Sequence, residues 1–182
     1  MQDKKKLLKS TTSEVTSSAE GAELDTPTGM LKWLWLTLLV IVLDQISKQV
    51  ASSMMELYQP IAVLPFFNFT LAQNYGAAFS FLSNAGGWQR YALSAVALVT
   101  SIAITIWLKR LPKNDPWTAA SLSLILGGAI GNLYDRIFLG YVVDFLDFYW
   151  NTAHFPAFNI ADSAITIGAA MMIIDIIRNP GK

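Results

Sequence analysis

The sequence predicts an all-α membrane protein with four transmembrane helices, a small extracytoplasmic β element between the first two helices, and both termini in the cytoplasm. Of its 182 residues, 53% are hydrophobic and 14% are charged, and the mean hydropathy is +0.41. Ordinary soluble domains carry about 25% charged residues. Because a membrane-spanning helix needs about 20 apolar residues, the length accommodates four such helices joined by short loops.

The composition also excludes several kinds of site. The chain has no cysteine, which removes disulfides, thiolate nucleophiles and cysteine-ligated metals. His154 is the only histidine, so a histidine-rich metal site is excluded, while a site made of carboxylates alone stays possible. The basic and acidic residues balance at thirteen each, and this balance gives no indication about nucleic acid. We expect no nucleic-acid partner, no metal and no cofactor.

Residues 1–29 are polar, with a lysine-rich start and a Ser/Thr/Glu-rich tract, and they predict a disordered cytoplasmic tail. The membrane domain is expected at 30–178. Its first span, about 33–52, has no small-residue cleavage site after it, so we expect a retained helix rather than a cleaved signal. This span carries Asp44 and Lys48 in the i, i+4 order that favours an ion pair. The pair either serves function or only fixes helix packing.

The segment from Met54 to Gly87 changes character. Pro60 and Pro65 punctuate a run from Ile61 to Leu71 that is rich in aromatic and β-branched residues, which favours short strands. The stretch Ser83–Gly87 is typical of a loop. An amphipathic β element on the membrane surface and a plain connecting loop are both compatible with this composition.

Three more spans are expected at about 90–108, 117–138 and 159–177. Asp115 and Pro116 supply an N-cap and a first-turn proline for the third span. Gly127 and Gly131 lie four residues apart, so a helix presents both on one face where another helix can approach closely. A loop rich in aromatic residues, 141–158, is expected before the fourth span.

Basic residues predict the orientation. Those in 4–32, 109–113 and 178–182 flank one side of the predicted spans, whereas the loops 53–87 and 140–157 contain no lysine or arginine. Because lysine and arginine concentrate in cytoplasmic loops, both termini are expected in the cytoplasm. Asp144 and Asp162 would then approach each other at the outer face.

Asp144 and Asp162 are the candidate reactive pair. They cannot share one helix, because residues 151–156 interrupt it, but they lie where the third span ends and the fourth begins. Two close carboxylates share a proton, so one can act as a base on water while its protonated partner donates to a carbonyl. This is aspartyl-protease chemistry, and it requires no histidine, cysteine or metal.

The neighbouring acids have less defined roles. Asp135 precedes Asp144 by nine residues, which in a continuous helix puts them on opposite faces unless Gly140 breaks the helix. Asp135 is also a candidate for a structural ion pair with Arg136. Asp147 is interpreted as a solvated acid at the membrane interface.

Two further residues surround Asp162. Asn159, one turn before it, is placed to orient its carboxylate by a hydrogen bond. Ser163 imitates a serine nucleophile, but the only histidine that could serve as its base is in the predicted loop, so this interpretation carries little weight.

Four blocks of this sequence resemble, in order, the signature blocks of lipoprotein signal peptidase (signal peptidase II). They are Asp44-Gln-Ile-Ser-Lys48, Asn74-Tyr-Gly-Ala-Ala-Phe79, Gly131-Asn-Leu-Tyr-Asp-Arg136 with Gly140-Tyr-Val-Val-Asp-Phe145, and Phe158-Asn-Ile-Ala-Asp162. The resemblance covers roughly 33–178. It implies a bacterial inner-membrane aspartyl protease, with its site towards the periplasm, that removes signal peptides from diacylglyceryl-modified prolipoproteins just before the lipidated cysteine.

The resemblance also implies site residues and partners. The catalytic pair falls on Asp144 and Asp162, a β-cradle is implied at about 57–72, and the partners are the lipid-modified substrate and membrane lipid. Ser47 stands where the family commonly has threonine, and the N-terminal tail is longer than usual. The supporting positions implied by the family are Asp44, Lys48, Asn74, Gly76, Asn132, Asp135, Arg136 and Asn159.

Two other functional classes also bury charged residues or leave them in a membrane domain. A proton-coupled transporter also buries acids and a lysine, but it would distribute them along a path across the membrane. A non-catalytic scaffold would leave the two converging carboxylates without a role. The gathering of Asp144 and Asp162 at one face favours an enzyme.

Overall fold

The computed structural model describes residues 29–76 and 87–180, and it contains four long helices and one small sheet. The predicted tail up to residue 28 and the loop signal at 83–86 lie outside the described residues. After a 3₁₀ turn at Leu31–Trp33, the helices are α1 (Leu34–Met54), α2 (Trp88–Arg110), α3 (Pro116–Phe138) and α4 (Ile160–Arg178). The strands are β1 (Pro60–Leu64), β2 (Phe67–Asn74), β3 (Val142–Trp150) and β4 (Ala153–His154), all antiparallel in the order β1-β2-β3-β4.

In the described part of the chain, three segments are long and apolar enough to cross a membrane: Leu31–Met54, Trp88–Arg110 and Ile160–Arg178. Helix α3 is of similar length but is not among them. It packs against the other three helices, and its polar side chains face protein. Four polar side chains on this helix are buried: Ser121, Ser123, Asn132 and Asp135. Because they contact protein rather than lipid, α3 can be less apolar than the other three helices.

The close helix approach predicted at Gly127 and Gly131 is confirmed, and the partner is α1. A Cβ atom added at Gly127 would lie 2.7 Å from the Cβ of Val40, and one at Gly131 would lie 2.6 Å from Oδ2 of Asp44. The next glycine, Gly128, faces α4 instead, because a Cβ there would run into the Ala161 carbonyl. Small residues on two faces of α3 thus bring α1 and α4 close to it.

The β element predicted between the first two spans is confirmed, but the expectation of a loop at 141–158 was wrong. Most of that segment forms β3 and β4, with β3 in the centre of the sheet beside β2. In the register, Ala72 is opposite Asp144 and Asn68 is opposite Asp147. The aromatic and β-branched residues that suggested an interfacial loop also have high strand propensity. The fold is therefore mostly helical with a four-stranded sheet, rather than all-α.

Candidate active site

Asn159 joins the two candidate reactive carboxylates. Its Nδ2 donates to Oδ1 of Asp144 over 2.7 Å, and its Oδ1 accepts the backbone N–H of Asp162 at 2.9 Å. In return, Asp162 Oδ2 accepts the Asn159 backbone N–H at 3.3 Å, which completes a capping box at the start of α4. Strand β3 and the first turn of α4 thereby bring Asp144 and Asp162 to opposite sides of the buried Asn159 amide.

Asn132 connects this pair to the interior of the bundle. From α3, its Nδ2 donates to Oδ1 of Asp162 over 2.7 Å. Its Oδ1 accepts from Asn159 Nδ2 at 3.2 Å and from Lys48 Nζ at 3.0 Å. One asparagine therefore receives hydrogen bonds from α1 and from the N-cap of α4 while it holds one oxygen of Asp162.

Lys48 lies between two buried carboxylates rather than beside one. Its Nζ is 2.8 Å from Asp44 Oδ2 and 2.9 Å from Asp135 Oδ2. Asp44 also accepts the backbone N–H of Ala161 at 2.9 Å, so α1 is tied to the first turn of α4. The interpretation of Asp135 as the partner of Arg136 was wrong, because the carboxylate of Asp135 turns towards α1.

Arg136 and the end of β2 border the pair on the other side. The guanidinium of Arg136 donates from Nη2 to the Gly76 carbonyl at 3.0 Å and from Nη1 to the Asn132 carbonyl at 3.2 Å. Asn74 Nδ2 donates to Asp144 Oδ2 at 3.0 Å, and its Oδ1 accepts the Gly76 N–H at 3.0 Å. The described residues thus bring all ten sequence-predicted site residues into one connected cluster.

The electrostatic environment distinguishes Asp144 from an ordinary surface acid. Burial, and after it the charge of nearby Asp162, raise the pKa of this carboxyl to about 7. The hydrogen bonds from Asn74 and Asn159 and the charge of Lys48 act in the opposite direction. Near neutral pH, this carboxyl therefore holds its proton in a substantial fraction of molecules.

Asp147 is not the solvated interfacial acid that the sequence suggested. It is buried, with only 5% of its surface exposed, and its carboxylate accepts from Thr70 Oγ1 at 2.8 Å and lies 2.8 Å from His154 Nδ1. Burial acts to raise the pKa of Asp147, but its hydrogen bonds outweigh that effect and lower the pKa. Because His154 pairs here and Ser163 donates to the Asn159 carbonyl, these two residues do not form a serine–histidine pair.

Gln45, next to Asp44, also belongs to the cluster and is not among the residues predicted from the sequence. Its Nε2 donates to Asp135 Oδ1 at 3.0 Å and lies 3.3 Å from the Gly131 carbonyl. The signal was available, because an amide in the middle of an apolar span needs a polar partner. Among the described residues, no three acidic or histidine side chains are grouped as metal ligands. Between Asp44 and Asp135, the position that a cation would take is filled by Lys48.

The family model for signal peptidase (SPase) II matches residues 36–178 of this chain. The chain belongs to the signal peptidase II family. It is 57% identical over 152 residues to the lipoprotein signal peptidase of Alteromonas mediterranea, covering 84% of each chain. It is 54% identical over 153 residues to that of Pseudomonas aeruginosa, covering 83% of this chain and 90% of the relative.

A solved structure of a bacterial membrane enzyme, determined by the in meso method at 2.3 Å resolution, has the same fold. The TM-score is 0.72 at 30% identity, covering 82% of this chain and 90% of that one. Membership of the signal peptidase II family, together with the apolar helices, makes this chain a membrane protease that acts on prolipoproteins.

Proposed function

We propose that the protein is an intramembrane aspartyl endopeptidase that removes the signal peptide from diacylglyceryl-modified prolipoproteins. It cuts just before the lipidated cysteine, with a water molecule activated by Asp144 and Asp162. The observation that carries this proposal is the single amide of Asn159 between the two carboxyl groups. Family membership supplies the substrate class.

The two carboxyl groups divide the acid and base roles. The pKa of Asp144 near 7 leaves a proton on that carboxyl, which donates it to the scissile carbonyl oxygen. Asp162, with one oxygen held by Asn132 Nδ2 and the other by the Asn159 N–H, takes a proton from the attacking water. The proton gained by Asp162 then passes to the departing amine, and Asp144 recovers its proton as the carbonyl reforms. Protons balance over the cycle, and no other group needs to titrate.

The surrounding polar residues have supporting roles. The triad of Lys48, Asp44 and Asp135 fixes Asn132 from the inner side of the pair. Arg136 holds the Gly76 carbonyl and places its positive charge near both reactive acids. Because Asp44, Lys48, Asp135 and Asn159 are buried and held by hydrogen bonds, their dipoles and charges stabilise the transition state without having to reorganise.

The protein lies in the bacterial inner membrane, with its active site on the periplasmic side. In this arrangement all four helices cross the bilayer, with α3 as the shielded central one, and both termini are cytoplasmic. Three basic residues support this orientation: Lys109 and Arg110 end α2 and Lys113 lies just before α3, so all are at the helix ends opposite Asp135 and the reactive pair.

An apolar surface beside the pair would hold the lipidated substrate. In the β1–β2 hairpin Ile61, Val63 and Phe66 are roughly half exposed, and on β3 Phe148 stacks on Phe158 at 5.9 Å between ring centres. These side chains clamp the substrate while its acyl chains lie in the bilayer. Binding energy from the lipid then positions the scissile carbonyl, so it acts on turnover as well as on affinity.

The test compares matched prolipoproteins with and without the diacylglyceryl group, incubated with purified protein in detergent. Release of the signal peptide just before the modified cysteine is expected for the lipidated substrate, with a maximal rate at least about tenfold above that of the unmodified one. Equal maximal rates at saturating substrate would refute the clamp. No cleavage of either substrate by folded protein would refute the peptidase assignment itself.

A further inference from the structure

Arg90 binds the end of a helix to which it does not belong. It lies in the first turn of α2, and its guanidinium donates from Nε to the Arg136 carbonyl and from Nη2 to the Ile137 carbonyl, each at 2.6 Å. The last four carbonyls of a helix lack intrahelical partners. A cation at this end also interacts favourably with the helix dipole. The bidentate fork of arginine thus caps the C-terminus of α3.

The capped turn is also the corner at which α3 becomes β3. The Leu139 and Gly140 N–H groups both donate to the Asp135 carbonyl, at 2.7 and 3.2 Å. Gly140 has φ +91°, and a Cβ there would lie 3.3 Å from Arg90 Nη1. Just beyond the corner, the Val143 N–H donates to Asp135 Oδ2 at 3.1 Å. Arg90 therefore binds the carbonyls before the corner, while the Asp135 carboxylate binds the backbone N–H that follows it.

Site residues lie on both sides of this corner. Asn132 and Arg136 come from the last two turns of α3, and Asp144 follows four residues after Gly140. Asp162 belongs to another helix, so the distance between the two carboxyl groups depends on where the corner directs β3. A shift of the corner would move Asp144 relative to Asp162 without breaking any hydrogen bond of Asp162.

We infer that Arg90 is a positioning residue for the peptidase reaction: by bridging two carbonyls of the last turn of α3, it fixes the α3–β3 corner and with it the approach of Asp144 to Asp162. The inference rests on the proposed function. A residue that only stabilised the packing of α2 against α3 would affect thermal stability but not the turnover of folded protein. A positioning residue would also lower that turnover.

The experiment compares Arg90→Met and Arg90→Lys with the wild type and with Arg110→Met, which removes an exposed arginine from the opposite end of the same helix. Cleavage of the lipidated prolipoprotein gives kcat and KM, and thermal unfolding in detergent gives stability. A misplacement of about 1 Å can cost about a hundredfold in rate. We expect Arg90→Met to lower kcat by at least about tenfold with KM within about twofold.

Lysine keeps the positive charge but cannot reproduce the fork, so Arg90→Lys should fall between the wild type and Arg90→Met. Arg110→Met should match the wild type. If the wild type cleaves and folded Arg90 variants retain the kcat of Arg110→Met, the positioning role is overturned while the proposed function stands. If Arg90→Met does not fold, Arg90→Lys decides by the same criterion. If the folded wild type does not cleave, the proposed function is what fails.

Discussion

Asn159 donates to Asp144 over 2.7 Å and is at the same time the N-cap residue of the helix that carries Asp162. The side chain that begins α4 is therefore also the one that sets the distance between the two reactive acids. Capping uses Oδ1, which accepts the Asp162 N–H, and bridging uses Nδ2. Because the two roles depend on different atoms, they can be separated by substitution.

The first prediction makes this separation with Asn159→Ser. Serine caps helices about as well as asparagine, so Asn159→Ser should keep the helix cap and be more stable to heat than a variant without it. Serine lacks the Nδ2 group that donates to Asp144, so kcat should fall by about ten- to a hundredfold. Asn159→Ala is the comparison, since it removes both functions and should also cost about 1 kcal/mol of stability. Wild-type turnover in a stable serine variant would count against the bridge.

The second prediction concerns the reactive pair. Asp144→Asn and Asp162→Asn should each lower cleavage by at least about a thousandfold while the protein still folds, because asparagine keeps the shape but cannot exchange a proton. Asp147→Asn is the matched control, since Asp147 is a buried aspartate on the same strand that pairs with His154. If the Asp147 variant were as inactive as the other two, loss of a buried carboxylate in general would explain the effect.

How far the sequence could predict this arrangement depended on whether a contact is local. The structure confirms three predictions that depend only on residues close together in one helix. They are the i, i+4 pair of Asp44 and Lys48, the N-cap at Asp115–Pro116 and the paired glycines of α3. Contacts of this kind follow from spacing alone. The resemblance to the signal peptidase II signature blocks then selected the residues that the fold gathers around Asp144 and Asp162.

Contacts that depend on tertiary packing could not be predicted in the same way. Asp135 was assigned to its neighbour Arg136, but residues adjacent in a helix point in different directions, and the approach of α1 gave Asp135 the partner Lys48. Asp147 was expected in solvent because the pairing of β3 with β2, which buries it beside Thr70, has no local signal. Register between distant strands becomes visible only once the sheet is formed.

The third prediction tests the buried triad. Lys48→Met would leave two buried carboxylates without their cation and should destabilise the protein by about 3–5 kcal/mol. Adding Asp44→Asn removes one of those charges, so the double variant should be more stable than Lys48→Met alone. Thermal unfolding of the wild type, the two single variants and the double variant in detergent measures the coupling. Additive effects of the two substitutions would contradict a shared ion-pair cluster.

The fourth prediction concerns the pH dependence of cleavage. Because burial and the charge of Asp162 raise the pKa of Asp144 to about 7, the proton it donates is present below that pH and lost above it. The rate constant kcat/KM should therefore decline on the alkaline side with an apparent pKa near 7, which belongs to the coupled pair.

Substitution of Asn74 should shift the pH at which kcat/KM declines. Its Nδ2 donates to Asp144 Oδ2 and favours the charged form of the carboxyl, so Asn74→Ala should raise the pKa of Asp144 further. A hydrogen bond to a charged group is worth about 1.5 kcal/mol, which corresponds to a shift of up to about one pH unit towards higher pH. Gln73→Ala is the matched control, because this neighbour on β2 accepts from Tyr75 instead. A shift to lower pH, or an equal shift in both variants, would show that Asp144 is not the group whose proton limits the reaction.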